Sequence, residues 1–323
     1  MAWFCLIAAA LAACYLIARI APERVTRLAL AAERRHSGLA LRSARVDGFD
    51  IPYLDGGQGE ALLLIHGFGA DKDNFTRVAR YLTPHFRVII PDLPGFGDAG
   101  RDPQADYFMA DQVARMHALL AQLGVARVHL GGSSMGGFIA AQFAATWPAM
   151  TGSVWLIDAA GTAASYASPM AQHYDKTGKM PLLMDDPGQF DALVAATTHK
   201  TPFLPRFVRT TLARRAVADF ALHTRIMRQL RDSPLLESLY SALATPALIV
   251  WGAEDGVLHP DGAAALAAIF TQAQVHIMPG LGHLPMAEAP QLVASDYLAF
   301  RRALARAADA GAGVPAPALA SRG

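Results

Sequence analysis

Residues 128–137 read VHLGGSSMGG and are followed by an alanine-rich apolar run. A short apolar strand that enters a Gly-x-Ser-x-Gly turn and leaves as a helix is the pattern of a nucleophile elbow, here with Ser134 at its tip. Gly132 and Gly136 would let the strand and the helix pass closely, because they lack side chains. The turn would direct the first N–H of the helix, from Met135, toward an oxygen bound beside the serine. A glycine-rich turn without chemistry is the alternative, but the flanking strand and helix favour the elbow.

The composition describes an apolar chain that is almost electrically neutral. Of its 323 residues, 53% are hydrophobic and 17% are charged, which is enough for one large α/β domain with an insertion, or for two small domains. The formal net charge of +1 gives no electrostatic reason to expect nucleic acid or an acidic partner. Cys5 and Cys14 are the two cysteines, and both lie in the first apolar segment. We therefore expect no disulfide and no thiol chemistry in the folded body.

Strand and helix patterns alternate along most of the chain. Residues 39–46 and 49–53 resemble a hairpin, and the continuous apolar run 61–65 is typical of a strand buried on both faces of a parallel sheet. Further strands are expected at residues 87–91, 128–131, 154–157, 247–251 and 274–278, and helices at residues 74–82, 106–123, 135–147, 262–270 and 290–308. The alternation predicts an α/β fold, with a mostly parallel, doubly wound sheet over residues 38–160 and 245–308.

Between residues 161 and 244 the alternation stops. This stretch has apolar residues at helical spacing and many prolines but no convincing strand, so we expect a helical cap inserted over the carboxyl edge of the sheet. Four methionines lie in it: Met170, Met180, Met184 and Met227. Flexible thioethers suit a pocket for variable alkyl chains, although each could also fill a gap between helices. The tail, residues 309–323, is rich in Ala, Gly and Pro and is expected to be disordered.

The chain begins with an apolar segment. Residues 2–18 carry no charge and would span roughly 26 Å as a helix, slightly less than a bilayer core of about 30 Å. The basic residues follow this segment, which favours residues 1–20 as an uncleaved anchor in a bacterial inner membrane, with the folded body on the cytoplasmic side. Alternatively, the segment is a signal sequence. Residues 11–14 resemble a lipoprotein cleavage site, which would leave Cys14 lipidated and the body exported.

Residues 21–37 form a short basic stretch after this segment. Val25, Leu28, Ala29 and Ala32 recur at helical spacing with arginines between them, which predicts a basic amphipathic helix lying on a membrane surface. An ordinary helix packed on the folded body has the same spacing. Both interpretations stay open at this point.

An activated serine needs a base, and the base needs a carboxylate that orients it. His283 is the best candidate base, because it lies in a loop directly after the last strand and follows Ser134 in the chain, as the order of such triads requires. Asp255 follows the penultimate strand and is placed to reach the distal imidazole nitrogen. Glu254 beside it, and Asp158 after the strand that follows the elbow, are the alternative acids.

Two further glycine-containing loops need an interpretation. The turn 66–69 follows the first buried strand, where a second oxyanion donor is expected, and the backbone N–H of Phe68 has that position, while His66 would hold the loop. Residues 95–100 read GFGDAG, which matches a dinucleotide-binding fingerprint, but the last glycine is followed by a turn instead of a helix. The sequence contains neither a phosphate-binding loop nor a cluster with metal-ligand spacing.

Five motifs occur together and in order: HGFG at 66–69, DLPGFG at 92–97, GSSMGG at 132–137, WGAED at 251–255 and GHLP at 282–285. Together they resemble the α/β-hydrolase superfamily over residues 38–300, and within it the bacterial family V lipases and the membrane-anchored monoacylglycerol lipases. The resemblance implies hydrolysis of carboxylic esters through an acyl-enzyme. In it, Ser134 would attack, His283 would shuttle the proton and Asp255 would fix the tautomer of the imidazole.

The resemblance further implies that backbone donors at Phe68 and Met135 bind the oxyanion, and that no metal or organic cofactor takes part. Hydrolysis of acylglycerols or other lipid esters fits the cap and a membrane surface reached through the N-terminal segment. Hydrolysis of a carbon–carbon bond in the meta-cleavage products of aromatic breakdown uses a similar triad and elbow but predicts a soluble protein. A ligand-binding member of the superfamily that has lost turnover is the third reading, although such proteins often lack a triad member.

Overall fold

A mixed eight-stranded sheet forms the centre of the structure, a computed structural model that describes residues 19–310 together with Trp3 and Leu16. The strands are β1 (Leu39–Val46), β2 (Phe49–Gly56), β3 (Ala61–Ile65), β4 (Arg87–Pro91), β5 (Val128–Ser133), β6 (Thr151–Ile157), β7 (Ala247–Gly252) and β8 (Ala273–Met278). Their order is β1-β2-β4-β3-β5-β6-β7-β8. The first two pairs in this order are antiparallel, and every later pair is parallel.

Helices cover both faces of this sheet. Those in the described residues are α1 (Pro22–His36), α2 (Thr76–Leu82), α3 (Met109–Gln122), α4 (Met135–Thr146), α5 (Pro169–Thr177), α6 (Phe190–Thr197), α7 (Arg206–Ala218), α8 (Phe220–Asp232), α9 (Leu236–Leu239), α10 (Asp261–Ile269), α11 (Pro285–Glu288) and α12 (Pro290–Asp309). Helices α3, α4 and α10 share one buried apolar cluster with the sheet, and α2 and α12 share a second. The predicted α/β fold with a mostly parallel, doubly wound sheet is therefore confirmed.

The central strands are buried on both faces. Leu62, Leu63, Leu64 and Ile65 of β3 have no exposed surface, which is why this strand is a continuous apolar run in the sequence. The bounds of β1, β3 and β4 equal the predicted ones, because in each strand the apolar pattern ends where the chain turns out of the sheet.

Helix α3 is shorter than predicted at its start. The Asp106 carboxylate accepts a hydrogen bond from Nε2 of Gln229 on α8, and the Phe108 N–H is capped by the carboxylate of Asp111 at 3.1 Å. The first helical residue is therefore Met109, three residues later than the local pattern predicts. A contact with a distant helix decides this boundary, and periodicity cannot report it.

The chain between β6 and β7 folds into helices α5 to α9, and no strand interrupts them in the described residues. Some of their apolar residues join the main core, and others form a small cluster around Met184, Phe190 and Ala213. This is the helical insertion that the sequence leads us to expect. The division of the chain into a cap at residues 161–244 and a core on either side stays a prediction.

Helix α1 packs on the folded body through α7. The Oγ1 atoms of Thr26 and Thr211 are 2.9 Å apart, and Thr26 also donates to the Phe207 carbonyl. Further along the helix, Arg34 binds both carboxylate oxygens of Asp73. The helix thus packs on the body, as one of the two interpretations expects, and its contact with a membrane surface stays a prediction.

The apolar row expected on α1 is divided between two environments. Val25 and Ala29 are half-buried, whereas Ala32 is exposed and Leu28 is 72% exposed. The four residues recur at helical spacing as expected, and the boundary between the packed and the exposed side of the helix runs through this row.

The expectations for the chain ends fall mainly outside the described residues. They concern the anchor or signal at residues 1–20, lipidation at Cys14 and disorder at residues 309–323. Among the helices that are described, none has both the length and the apolar character needed to cross a bilayer.

A buried ion network joins two loops near the elbow. Lys72 has no exposed surface, and its Nζ donates to Asp92 and to Asp98, each at 2.7 Å. Burial alone would lower the pKa of Lys72, but the charges of Asp92 and Asp71 outweigh burial and raise that pKa. Asp92 also accepts the backbone N–H groups of Lys72 and Asp98. One buried ion pair thus holds the loop after β3 against the loop after β4.

We expect Lys72→Met to lower the free energy of unfolding by about 3 kcal/mol or more, because it leaves the fully buried Asp92 carboxylate without its cation. Chemical denaturation followed by circular dichroism measures the change. The matched control is Arg45→Met, whose pair with Asp50 is about two-thirds exposed and should contribute less than about 1 kcal/mol. Equal losses in the two variants would contradict the importance of the buried pair.

Candidate active site

Ser134 lies at the turn between β5 and α4 and has a backbone φ of 56°. This left-handed conformation is strained for a residue other than glycine. The conformation arises because the backbones of strand β5 and helix α4 pass each other in direct contact at this turn. A Cβ on Gly132 would lie 2.1 Å from the Gly136 carbonyl oxygen, and a Cβ on Gly136 would lie 2.0 Å from the carbonyl oxygen of Ile65. Neither position accepts a side chain, as the sequence pattern predicts.

Asp255, in the loop after β7, and His283, in the loop after β8, are joined by a hydrogen bond. The imidazole Nδ1 donates to Asp255 Oδ2 at 2.8 Å. The other carboxylate oxygen accepts the N–H groups of Val257 and Leu258 at 2.8 and 3.0 Å. These three donors hold the buried carboxylate in one orientation. With its proton on Nδ1, the imidazole has Nε2 as an acceptor on its other side.

The two alternative acids have different partners. Glu254 accepts the Leu281 N–H at 3.1 Å, so its carboxylate holds the histidine loop instead of the imidazole. Asp158 accepts the Gly252 N–H at 2.8 Å. It lies near the imidazole as well, but the carboxylate that the ring contacts is that of Asp255.

Ser134 and His283 line the same pocket. No hydrogen bond joins the hydroxyl to the imidazole within residues 19–310, and such bonds are often long before a substrate binds. The structure thus brings the predicted serine and imidazole to one pocket and shows direct contact between the imidazole and Asp255. The catalytic roles of these residues stay predictions.

The two predicted oxyanion donors are Phe68, in the loop after β3, and Met135, the first residue of α4. This loop passes close to the serine, because a Cβ on Gly67 would lie 3.1 Å from the Cβ of Ser134. In the described part of the chain, the backbone N–H groups of Phe68 and Met135 have no protein acceptor. Both are therefore available to an oxygen bound beside the hydroxyl.

His66 braces this loop, as the sequence predicts. Its Nδ1–H donates to the Gly67 carbonyl at 2.8 Å, and its Nε2 accepts the Leu93 N–H at 3.0 Å. Burial lowers the pKa of His66 to about 4, so the ring is neutral and can make both bonds.

An apolar cavity of about 420 Å³ opens at Ser134 and His283. Most of its wall comes from the inserted helices and the loops between them. The apolar residues from this part are Leu182, Leu183, Met184, Phe190, Leu193, Val194, Phe203, Leu204, Val208, Leu212, Ala216 and Phe220. Of the four methionines singled out in the sequence, only Met184 lines the cavity. The others pack against the main core, where thioethers fill gaps between helices.

Two parts of the site are not evident in the sequence. Ala29 and Leu30 on the inner side of α1 line the cavity, although nothing in the local pattern places this helix there. On α8, His223 also lines the cavity, and its ring packs against Phe68 and Phe96. Both contributions depend on how distant helices dock, which periodicity does not encode.

Glu288 is a third residue that the sequence does not mark. Its Oε1 accepts the Gly282 N–H at 3.0 Å, and its Oε2 accepts the N–H groups of His199 and Lys200 at 3.1 and 2.7 Å. One carboxylate therefore ties the loop that carries His283 to the inserted helices. Its partners are backbone groups, so no motif could have identified it.

The arginines at the cavity are paired. Arg77 donates to Glu33 at 3.1 Å, and Arg215 donates to Asp71 and Asp98 at 3.0 and 2.8 Å. Among the described residues, the cavity lining therefore presents no guanidinium or ammonium group without a carboxylate partner.

One cluster has the composition of a metal site. Ligand-type atoms of Asp158, Asp255 and His283 lie within 4.8 Å of one another. The imidazole and Asp255 already use these atoms on each other and on backbone donors. The arrangement is thus that of a hydrogen-bonded pair and not of an open coordination site.

The chain is similar to several known hydrolases. Lipase 1 of Psychrobacter immobilis is 37% identical over 278 residues, which cover 84% of this chain and 87% of that protein. The monoacylglycerol lipase ABHD6 of Mus musculus is 26% identical over 283 residues, covering 82% and 84%. The crystal structure of a membrane phospholipase A, a bacterial virulence factor, superposes with a TM-score of 0.85 at 37% identity and covers 94% of this chain and 98% of that one. Residues 62–296 also match the alpha/beta hydrolase family. The chain belongs to that family.

Proposed function

We propose that this chain hydrolyses carboxylic esters of lipids, acylglycerols first among them, through an acyl-enzyme. Ser134 is the nucleophile, His283 the proton shuttle and Asp255 the carboxylate that orients it, while the N–H groups of Phe68 and Met135 bind the oxyanion. The observation that carries the proposal is the apolar cavity of about 420 Å³ at the serine and the imidazole. An acyl chain needs an apolar wall, and its ester carbon has to meet the nucleophile at the end of that wall.

The reaction steps follow from this geometry. Because Nδ1–H is bound to Asp255, Nε2 of His283 can accept the Ser134 proton as Oγ attacks the ester carbon. The carbonyl oxygen becomes an oxyanion, which the N–H groups of Phe68 and Met135 stabilise. Collapse of this intermediate releases the alcohol, which takes the proton from the imidazole. Water, deprotonated by the same imidazole, then attacks the acyl-serine, and Ser134 Oγ takes that proton back from the imidazole as the fatty acid leaves.

The charges of the pocket support an uncharged alcohol portion. A phosphate-bearing headgroup would compete with the carboxylates that already pair with Arg77 and Arg215, whereas hydroxyl groups can donate to carboxylates without weakening an ion pair. The mouse relative is a monoacylglycerol lipase, which agrees with a glyceride substrate. A phospholipid is the alternative, because one similar structure is that of a membrane phospholipase A.

A membrane is the proposed source of this substrate. On the outer side of the N-terminal helix, Leu28 is 72% exposed and Arg24, Arg27 and Arg35 are exposed, and Ile20 just before it is 73% exposed. The inner side of the same helix lines the cavity. Basic residues beside exposed apolar ones suit an anionic lipid surface. These features support α1 resting on the cytoplasmic face of a bacterial inner membrane, with the apolar N-terminal segment as its anchor.

A substrate panel tests the reaction. We expect turnover of a long-chain monoacylglycerol and of p-nitrophenyl esters, with a lower kcat/KM for phosphatidylcholine. Ser134→Ala and His283→Ala should each lower kcat by about 10⁴-fold or more, because each removes a group that acts in every step, and should leave the circular dichroism spectrum unchanged.

His276→Ala is the matched histidine control. Its imidazole is exposed, pairs with Asp296 and does not line the cavity, so full activity is expected. A wild-type chain that turns over no ester would refute the proposal in favour of a binding protein or a carbon–carbon hydrolase. A preference for phosphatidylcholine would refute the uncharged alcohol portion.

The cavity predicts a specific change in chain-length preference. Leu212→Trp places extra volume in the cavity wall, so kcat/KM for p-nitrophenyl palmitate should fall by about 10-fold or more, while p-nitrophenyl acetate changes by less than about 2-fold. Leu239→Trp, at an exposed position outside the cavity, is the control. A parallel loss on both esters would show that this cavity does not hold the acyl chain.

The membrane contact predicts an effect confined to lipid surfaces. Arg24→Glu/Arg27→Glu should lower turnover of a monoacylglycerol in phosphatidylglycerol vesicles by about 30-fold or more, because each of the two basic residues near such a surface contributes about 1 kcal/mol. Hydrolysis of p-nitrophenyl butyrate in solution should stay unchanged. The matched control is Arg42→Glu/Arg45→Glu, because both of these arginine side chains on strand β1 are exposed. If both pairs lost vesicle activity equally, α1 would not be the contact.

A further inference from the structure

Asp158 lies where the segments that carry the three catalytic residues meet. It directly follows β6, has no exposed surface and has a φ of 45°. Its neighbours hold the elbow, because the Ile157 carbonyl accepts the Ser134 N–H and the Ala160 N–H donates to the Ser134 carbonyl, both at 3.0 Å. Its own Oδ1 accepts the N–H of Gly252, just before the acid loop, at 2.8 Å. The reaction steps above give this carboxyl no role.

The carboxyl of Asp158 lies close to that of Asp255. Ligand-type atoms of these two residues and of His283 lie within 4.8 Å of one another. Both are buried. Two buried carboxylates this close repel each other strongly in an apolar surrounding, which favours a single proton held between them.

The hydrogen bonds indicate which carboxyl holds that proton. Asp255 accepts three, from the N–H groups of Val257 and Leu258 and from the imidazole. Asp158 accepts one, from Gly252, and within the described chain its Oδ2 has no other partner. A carboxylate with three donors keeps its charge more readily than one with a single donor. The shared proton therefore belongs on Oδ2 of Asp158.

We propose that Asp158 is a positioning residue of the triad, a neutral carboxylic acid that donates its O–H to Asp255. The bond fixes the orientation of the carboxylate that in turn orients His283. Asp158 does not line the cavity, so it acts through Asp255 and not on the substrate. The inference rests on the roles proposed above for the triad.

The pKa of Asp158 agrees with this assignment. Burial, and then the negative charge of Asp255, raise it well above its ordinary value, and Glu288 acts in the same direction. The bond from the Gly252 N–H opposes this rise but does not cancel it. The titratable groups that face Asp158 are thus Asp255, His283 and Glu288.

Asp158→Asn is the first test, because it keeps an acceptor for Gly252 and a donor for Asp255, and asparagine tolerates a positive φ. We expect kcat on p-nitrophenyl butyrate within about 3-fold of wild type, with the acid limb of its pH profile unmoved. If Asp158 were ionised, asparagine would remove a negative charge beside the imidazolium. The acid limb would then move to lower pH.

Asp158→Ala removes the donor. We expect kcat per active site, counted with a fluorophosphonate, to fall about 10- to 100-fold, which is the range for a hydrogen bond to a charged group, with KM changed by less than about 2-fold. The acid limb should move to higher pH, because an Asp255 carboxylate that lacks this donor holds the imidazolium more strongly. A merely structural role would lower the number of active sites but leave kcat per site and the acid limb unchanged.

Infrared spectroscopy tests the proton without relying on turnover. The wild-type chain should show a carboxylic-acid C=O stretch at neutral pH that Asp158→Asn removes. A band that persists in this variant, an acid limb that moves to lower pH, or an alanine variant with normal kcat per site would overturn the proposal. A chain without esterase activity whose band is lost in Asp158→Asn would refute the proposed function, while the neutral Asp158 would stand.

Discussion

Backbone contact at the elbow is the constraint on which the rest of the site depends. The Gly136 carbonyl oxygen lies 2.1 Å from where a Cβ of Gly132 would be. The turn between strand and helix is therefore very tight, and Ser134 at its tip takes a positive φ. Strain of this kind costs about 1–3 kcal/mol. It is small beside the burial of the helix that follows, where Phe138, Ile139 and Phe143 have almost no exposed surface. Core packing thus holds the serine in a conformation that it would not adopt alone.

The parallel sheet explains why residues that are distant in the sequence could be predicted to come together. Loops that follow parallel strands emerge at one edge, so residues far apart in the chain meet once the strands are identified. Ser134, Asp255 and His283 each follow a strand whose apolar pattern is plain in the sequence. The choice among carboxylates was less certain, since Glu254 and Asp158 also follow strands. Only side-chain contacts separate them, because spacing cannot tell which carboxylate faces the imidazole.

The pocket and the N-terminal helix show where sequence reasoning ends. Helical spacing identifies a helix, but the face that it buries depends on its neighbours. On α1, Val25 is half-buried whereas Leu28, in the same row, is exposed. Leu30 lines the cavity. The same helix therefore borders the cavity on one side and presents exposed arginines on the other.

The two buried carboxyls show how charge is balanced around the imidazole. In the proposed mechanism, His283 takes the Ser134 proton and becomes a cation in a buried site, where one anion beside it compensates that charge. Asp255 supplies this anion, with three donors that hold it. A second anion at Asp158 would hold the imidazolium proton too strongly, and the leaving alcohol needs that proton for the intermediate to collapse. The proposed neutral Asp158 would avoid this excess and still add a donor to Asp255, so that the pair would carry a single negative charge throughout the proposed reaction.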